Sequence, residues 1–468
     1  MKNNKIKFGT DGWRAIIGDQ YTNENVARVS FAVADWLNEK FDDPTVIIGH
    51  DCRFSGEMFA ETTTKILSSK GIKVKLAKGF VSTPMVSYGV VSEGANLGIV
   101  ITASHNPPSY NGYKLKGDFG GPLLQKDISD IENRIPENNN IDYSNISIES
   151  LISNGDLTYI DLESMYCNHA KNHFDIDAIE GSSMNFAYDA MFGAGMNAVN
   201  NLLPTTTTLH CENNPGFLGT APEPIHKNLK EFSKLMSNSD LDCGFATDGD
   251  ADRIGLYDSK GNFVDSHHII LLLIHYLVKY KNQTGKVVTA FSCSVKVEKI
   301  CKHYKLDHET VQIGFKHIAA KMIKEDVLLG GEESGGIAIS THIPERDGIW
   351  MGLILFEFMA KSGKSLEDLI SEVYEIVGPF AFERIDLNID NKTKHRIIED
   401  CKNGKFIKFG QYVVNRVETL DGFKYFFDEN TWLMIRPSGT EPVLRTYAEA
   451  SSQDKVFDIL SACKDTIL

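Results

Sequence analysis

Leu97-Gly98-Ile99-Val100-Ile101-Thr102-Ala103-Ser104-His105-Asn106-Pro107-Pro108 is the stretch from which the rest of the chain is read. The five residues from Leu97 form an apolar run of the length of a buried strand. Pro107 and Pro108 end regular structure, because proline lacks an N–H and restricts the residue before it. Ser104 therefore falls on a rigid loop at the carboxyl end of a strand, where open α/β sheets place ligands. Tyr110-Asn111-Gly112-Tyr113-Lys114 brings a cation back toward that loop. A serine hydroxyl beside His105 and Lys114 suits covalent group transfer. A Ser-Pro-rich surface turn would read the same way, and the two readings stand level on this loop alone.

Toward the N-terminus, residues 45–49 and the alternating Ile72-Val74-Leu76 read as strands, and residues 23–38 and 57–69 as helices. Strands alternating with helices imply βαβ units and a mainly parallel sheet. Phe8-Gly9-Thr10-Asp11-Gly12-Trp13-Arg14 precedes them and presents Arg14 on a glycine-punctuated turn suited to an anion. Toward the C-terminus, a helix over 158–173 bridges to a second unit with strands at 184–189, 209–211 and 243–247. A third unit holds helices at 266–280, 295–304 and 317–324, strands at 286–291 and 327–329, and a long amphipathic helix at 347–360. A last unit begins near Gly378. Its strand-like runs at 423–427, 432–435 and 444–448, with a C-terminal helix, suggest α+β.

At about 150 residues per domain, 468 residues imply three domains or four smaller ones. A hydrophobic content of 42% and a charged content of 24% describe a globular chain with ample core. The net charge of −15 argues against a general nucleic-acid binder, which needs a basic face. A local basic cleft for a small phosphorylated molecule is compatible with it. The eight cysteines are scattered without a CxxC pair and read as reduced packing residues in a cytoplasmic protein. No apolar segment follows the charged N-terminus, so no signal peptide is expected. The most apolar run, residues 269–278, contains His275 and is shorter than the ~20 residues of a membrane helix. No membrane partner is expected.

Asp248-Gly249-Asp250-Ala251-Asp252-Arg253 alternates three carboxylates, which point the same way in an extended loop. Such charges repel unless a cation joins them, and hard oxygen ligands imply Mg²⁺. An EF-hand is rejected, since its required Gly and Glu positions hold Arg253 and Ser259. Gly331-Glu332-Glu333-Ser334-Gly335-Gly336 offers carboxylates and a hydroxyl on a flexible frame, suited to sugar hydroxyls. Arg436-Pro437-Ser438-Gly439-Thr440-Glu441-Pro442, with Arg445, combines guanidinium groups, hydroxyls and glycine-exposed N–H groups into a phosphate cradle. Lys316 supplies another cation at a strand-to-helix turn. Gly363-Lys364-Ser365 is no P-loop end, because position 358 is Phe rather than Gly.

Together the four motifs at 102–107, 248–253, 331–336 and 436–442 resemble those of the α-D-phosphohexomutase family of phosphoglucomutases and phosphomannomutases. The resemblance runs from Phe8 to the C-terminus. It implies three similar mixed α/β domains and a C-terminal α+β domain around a central cleft, with bounds 1–152, 153–257, 258–377 and 378–468. It implies an isomerase-class phosphotransferase that interconverts hexose 1-phosphate and hexose 6-phosphate through a bisphosphorylated sugar. Ser104 resembles the phosphoserine of the family. Asp248, Asp250 and Asp252 resemble its Mg²⁺ ligands, with an oxygen on Ser104 as a further one. Arg14, His105 and Lys114 match positions around the phosphoserine, Lys114 being similar to the proposed general base. Glu332 and Ser334 match the sugar-hydroxyl loop. Arg436, Ser438, Gly439 and Thr440 match the phosphate loop, while Arg253, Lys316 and Arg445 join the expected substrate set. Glucose 1,6-bisphosphate is the implied activator, and a monomer or homodimer the implied assembly.

Members of dual specificity commonly carry Met after the first Glu of the sugar loop and His after its Ser-Gly. Here those positions are Glu333 and Gly336, more similar to glucose-preferring members. Residues 341–348 also resemble a segment of those members, in which His342 and Arg346 would supply proton transfer or phosphate contact. Glucose is therefore the first expected sugar and mannose the second. A phosphoglucosamine mutase and a non-catalytic phosphosugar-binding protein are the alternatives.

Overall fold

Strand β4 (Leu97–Ile101) is buried at all five positions, as its unbroken apolar run requires of a strand covered on both faces. The computed structural model of the protein describes residues 5–138, 142–437 and 443–468. Around β4 lie β1 (Trp13–Ile16), β2 (Thr45–His50), β3 (Lys73–Ala77), β5 (Tyr110–Gly117) and β6 (Leu157–Ile160). Their order is β1-β5-β4-β2-β3-β6. The pairs β2–β3, β2–β4 and β3–β6 are parallel, while β5 returns antiparallel to β4 and pairs with β1.

Two further sheets repeat this plan. The second contains β7 (Phe186–Asp189), β8 (Thr207–Leu209), β9 (Cys243–Thr247), β10 (Ile254–Asp258) and β11 (Phe263–Val264), in the order β11-β10-β9-β7-β8. The third contains β12 (Lys286–Ala290), β13 (His308–Val311), β14 (Val327–Gly331) and β15 (Ile337–Ile339), in the order β13-β12-β14-β15. In each, two parallel strands flank a central one, and the last parallel strand folds back as an antiparallel hairpin. The three hairpins are β4–β5, β9–β10 and β14–β15. Their connections are the three chemistry-bearing loops at Ser104, Asp248–Asp252 and Glu332–Ser334.

The last domain differs. Past a two-stranded hairpin, β17 (Lys408–Phe409) with β18 (Tyr412–Val413), it has one antiparallel sheet. That sheet orders β16 (Ala381–Asn388), β22 (Val443–Ala450), β21 (Trp432–Pro437), β20 (Phe423–Phe426) and β19 (Arg416–Glu418). Its own apolar core joins Ile397, Leu433, Leu444 and Ile459. A separate cluster of Phe291, Phe426, Trp432, Met434 and Tyr447 docks it on the third domain. The largest core instead runs through the first three domains without a break, from Val81 and Met85 through Tyr188 and Phe245 to Trp350 and Phe356.

Several expectations shift. The helix expected over 158–173 begins at Leu162, because Leu157–Ile160 pair with β3 as an edge strand and Asp161 caps the helix at Ser164 N. The first sheet thus extends past residue 152, and β11 carries the second past 257. The strand expected at 209–211 lies at Thr207–Leu209. The frame of Glu332–Gly336 is not flexible but a tight, largely buried hairpin turn, with Glu332 N donating to Gly336 O at 3.0 Å.

Candidate active site

Ser104 sits where β4 ends, fully buried, with its backbone in the left-handed region at φ 52°. For a non-glycine residue that conformation is uncommon and has to be held by its surroundings. It turns the hydroxyl toward the second domain. Ser104 Oγ donates to Asp248 Oδ2 at 2.7 Å and lies 3.3 Å from His105 Nδ1. The approach is close: a Cβ on Gly249 would stand 2.5 Å from the Ser104 carbonyl oxygen. Burial and the nearby cations Arg253 and Arg14 hold His105 well below the ordinary histidine range. Arg14 Nη1 donates to Asn106 Oδ1 at 2.9 Å on the same loop.

Asp248, Asp250 and Asp252 are all fully buried and bring ligand oxygens within 4.8 Å of one another. Asp248 Oδ1 accepts from the Asp252 and Arg253 backbone N–H groups, which folds the loop over it. Burial, Asp250 and Asp252 push its carboxyl well above the usual carboxylate range. Lys114 Nζ lies 2.7 Å from Asp250 Oδ2, 2.9 Å from Asp252 Oδ2 and 2.8 Å from Asp11 Oδ2. Burial alone would lower the lysine pKa, but these three carboxylates hold it well above its ordinary value. Asp250 Oδ1 and Asp252 Oδ1 are buried without a hydrogen-bond partner among the described residues. Two orphaned carboxylate oxygens facing a third carboxylate are a hard-oxygen donor set, and these residues fit a divalent cation such as Mg²⁺.

Arg346 ties the third domain to this centre. Its Nη2 donates to Asp252 Oδ2 at 2.6 Å and Asp11 Oδ2 at 2.5 Å, and its Nη1 lies 3.8 Å from Glu332 Oε2. Glu332 accepts from Gly314 N at 3.0 Å, and burial pushes its carboxyl up to about 7. Arg253 stands at 3.9–4.0 Å from Asp252 and Asp248, its buried Nε without a hydrogen-bond partner among the described residues. Lys316 Nζ donates to Gln125 Oε1 of the first domain at 2.6 Å. Ser334, half-buried, is on the turn beside Glu332.

On the fourth sheet, Arg436 faces Arg445 across β21–β22, and Arg445 faces Asp386, two residues from Arg384, across β22–β16. Three arginines thus share one face. Asp421 holds Arg436 through Nε at 3.0 Å and Nη2 at 3.3 Å, whereas the buried Arg445 Nε has no hydrogen-bond partner among the described residues. Ser438, Gly439 and Thr440 lie outside the described residues.

His342 is the expected residue that the structure places elsewhere. Its Nε2 pairs with Asp347 at 3.0 Å and its Nδ1 with His169 Nε2 at 3.3 Å. Its ring stacks on Trp350 with centroids 3.8 Å apart and planes 4° apart. Both ring nitrogens and one ring face are engaged at the junction of helices Leu162–His173 and Gly348–Ser362.

Sequence reasoning gave no role to Asp11, Thr83, Lys116 or Glu345. Asp11 collects Arg346 and Lys114, and Thr83 donates to Asp250 Oδ2 at 2.5 Å. Lys116 and Glu345, both wholly buried, pair at 2.6 Å between the first and third domains. The Ser82-Thr83-Pro84 helix start was a usable signal; the pairing of Lys116 with a residue 229 positions away was not. Removing one partner of a buried ion pair strands the other charge. Lys116→Met should therefore cost about 3–5 kcal/mol in urea unfolding, with part regained in Lys116→Met/Glu345→Leu. An unchanged midpoint would show the pair to contribute nothing.

Four family models match this chain in order. They describe the phosphoglucomutase/phosphomannomutase α/β/α domain I at residues 5–142, domain II at 164–261, domain III at 265–377 and the C-terminal domain at 390–464. A phosphoglucomutase/phosphomannomutase of Thermococcus kodakarensis is 30% identical over 460 residues, covering 97% of this chain and 96% of its own. A phosphoglucosamine/phosphogalactosamine mutase of Sulfurisphaera tokodaii is 28% identical, with 98% of both chains covered. The crystal structure of a proposed phosphomannomutase from Thermus thermophilus superposes with a TM-score of 0.86 at 31% identity, over 99% of each chain.

Proposed function

The chain belongs to the phosphoglucomutase/phosphomannomutase family of phosphohexomutases, and from that premise we propose that it interconverts glucose 1-phosphate and glucose 6-phosphate, with mannose phosphates second. The observation that carries the reading is Ser104: buried, in a left-handed turn, its Oγ 2.7 Å from a carboxylate of a three-aspartate cluster. Phosphorylated at Oγ, Ser104 gives its phosphoryl group to the free hydroxyl of the hexose phosphate. The Oγ–P bond breaks and a sugar O–P bond forms, the hydroxyl proton ending on Ser104 Oγ, to give glucose 1,6-bisphosphate. The bisphosphate reorients, its other phosphoryl returns to Ser104 Oγ, and the isomerised monophosphate leaves. Added glucose 1,6-bisphosphate serves as activator by charging Ser104.

Such transfers need positioning and charge neutralisation more than bond-making groups. Mg²⁺ held by Asp248, Asp250, Asp252 and an oxygen on Ser104 supplies that neutralisation when bound. Arg14 and Lys114 add positive charge from the first domain. Held as an ammonium by Asp11, Asp250 and Asp252, Lys114 acts first as a cation; neutralising those carboxylates lets it release a proton, and only the resulting amine can act as a base. The arginine face of the fourth sheet, with Lys316 and Arg253, grips the non-reacting phosphate. Glu332 and Ser334 take the sugar hydroxyls.

The glucose preference is supported by Glu333 and Gly336 in the sugar loop. The phosphoglucosamine reading is favoured by the Sulfurisphaera relative. No helix among the described residues is long and apolar enough to cross a membrane; the cytoplasmic place we propose rests on the scattered cysteines without a CxxC pair. The test is isomerisation of the 1-phosphates of glucose, mannose and glucosamine in parallel, with Mg²⁺ and a trace of the matching bisphosphate. The expected ranking is glucose, mannose, glucosamine. Glucosamine in first place would transfer the assignment, and turnover of none by chain phosphorylated at Ser104 would favour a phosphosugar-binding protein.

A further inference from the structure

The phosphoserine loop has a fastener that no motif announces. Arg53 lies in the connection after β2, its side chain buried beneath the loop. Its Nη2 donates to the carbonyls of Ser104 and Asn106, both at 2.6 Å. Its Nη1 donates to those of Pro107 at 2.9 Å and Tyr110 at 3.1 Å. One planar fork thus holds four carbonyls of a single seven-residue turn. Asp51 fixes the fork in turn: its Oδ1 accepts from Arg53 N at 2.9 Å, and its Oδ2 lies 3.2 Å from Arg53 Nε as an ion pair off the hydrogen-bond direction. The same Asp51 Oδ2 accepts from Thr102 Oγ1, which itself accepts from Ser104 N at 2.9 Å. Both backbone polar groups of Ser104 therefore end on the Asp51–Arg53 pair.

We propose that Arg53, acting with Asp51 through Thr102, is the positioning residue that keeps Ser104 in its left-handed turn and aims Oγ at the metal-binding aspartates. The role rests on the mutase reading given above. A neutral turn of this shape carries strain at Ser104, and a strained residue persists only where its neighbours over-determine it. Here the four carbonyls and the N–H are what over-determine it. A lysine cannot replace the fork, because its ammonium is one point with three donors, while the carbonyls lie along two edges of a plane. None of Arg53's partners among the described residues belongs to the sugar loop or the arginine face, so its loss should misplace the nucleophile and leave the grip on substrate intact.

The test uses the full chain with Arg53→Lys and Thr102→Val, assayed on glucose 1-phosphate with Mg²⁺ and glucose 1,6-bisphosphate. A nucleophile displaced by an ångström loses about 100-fold in kcat, with KM moving less than about threefold. A kcat within about threefold of wild type in either soluble variant overturns the proposal, as does a KM rise that accounts for the whole loss. If Arg53→Lys does not fold, Thr102→Val alone decides. Amide hydrogen exchange over residues 104–110 separates this proposal from the mutase reading. Faster exchange there, with the rest of the first sheet unchanged, supports the clamp even if wild type turns over none of the hexose phosphates. Unchanged exchange in both variants overturns it.

Discussion

Ser104→Ala should lower hexose phosphate isomerisation by at least about four orders of magnitude, since removing a covalent nucleophile takes away the route and not a fraction of its rate. The change is small in structural terms. Alanine keeps the Cβ that the left-handed backbone already accommodates, and the fully buried site loses one oxygen. Asp248 Oδ2 forfeits one donor, which costs about 1 kcal/mol or a little more. The variant should thus unfold within a few degrees of wild type while incorporating no phosphoryl group from glucose 1,6-bisphosphate. A coupled assay and intact-mass measurement check both halves, and turnover above background would remove the nucleophile assignment.

Asp252→Asn should be the second most damaging change, and for two reasons at once. Asp252 Oδ2 receives Lys114 at 2.9 Å and Arg346 at 2.6 Å, so neutralising it leaves two buried cations short of a partner. Breaking such a pair from one side costs about 3–5 kcal/mol. Its Oδ1, buried and unpartnered among the described residues, is one of the oxygens offered to a divalent cation, and loss of that charge should lower kcat by at least about 100-fold. Urea midpoints with and without Mg²⁺, beside a Mg²⁺ titration of activity, check the two effects separately. The stabilisation that Mg²⁺ gives wild type should shrink in the variant. A variant with the wild-type midpoint and the wild-type response to Mg²⁺ would take Asp252 out of both roles.

The parts of this molecule that were legible in the sequence are those in which composition and burial agree. Leu97–Ile101 is apolar throughout and buried throughout, and the strand Cys243–Thr247 before the aspartates likewise. The returning strands were not legible, and β5 gives the reason. Lys114 and Lys116 within it are 1% and 0% exposed, yet two lysines in eight residues describe a surface. Only carboxylates brought from Asp11, Asp250, Asp252 and Glu345 make that burial tolerable, and distance along the chain conceals them. β15 was missed because three residues are too few for a period to register. At His342 the sequence conceals packing instead. A histidine near an arginine and an aspartate looks catalytic, and nothing in the sequence shows that its ring lies against Trp350 and His169. The candidate site was legible as motifs and not as an assembly: the aspartates and Ser104 stood out, while Arg53, which joins the loop from beneath, reads in sequence as one more surface arginine.

The backbone at Ser104 also limits which residues this position can ever hold. Threonine carries the same hydroxyl and would pass for a conservative exchange. Its branched Cβ, however, is a genuine outlier in the left-handed region that serine occupies here at φ 52°. Cysteine would fit the turn but offers a soft sulfur to a hard cation. The choice of serine over threonine is thus made by main-chain geometry before reactivity is consulted.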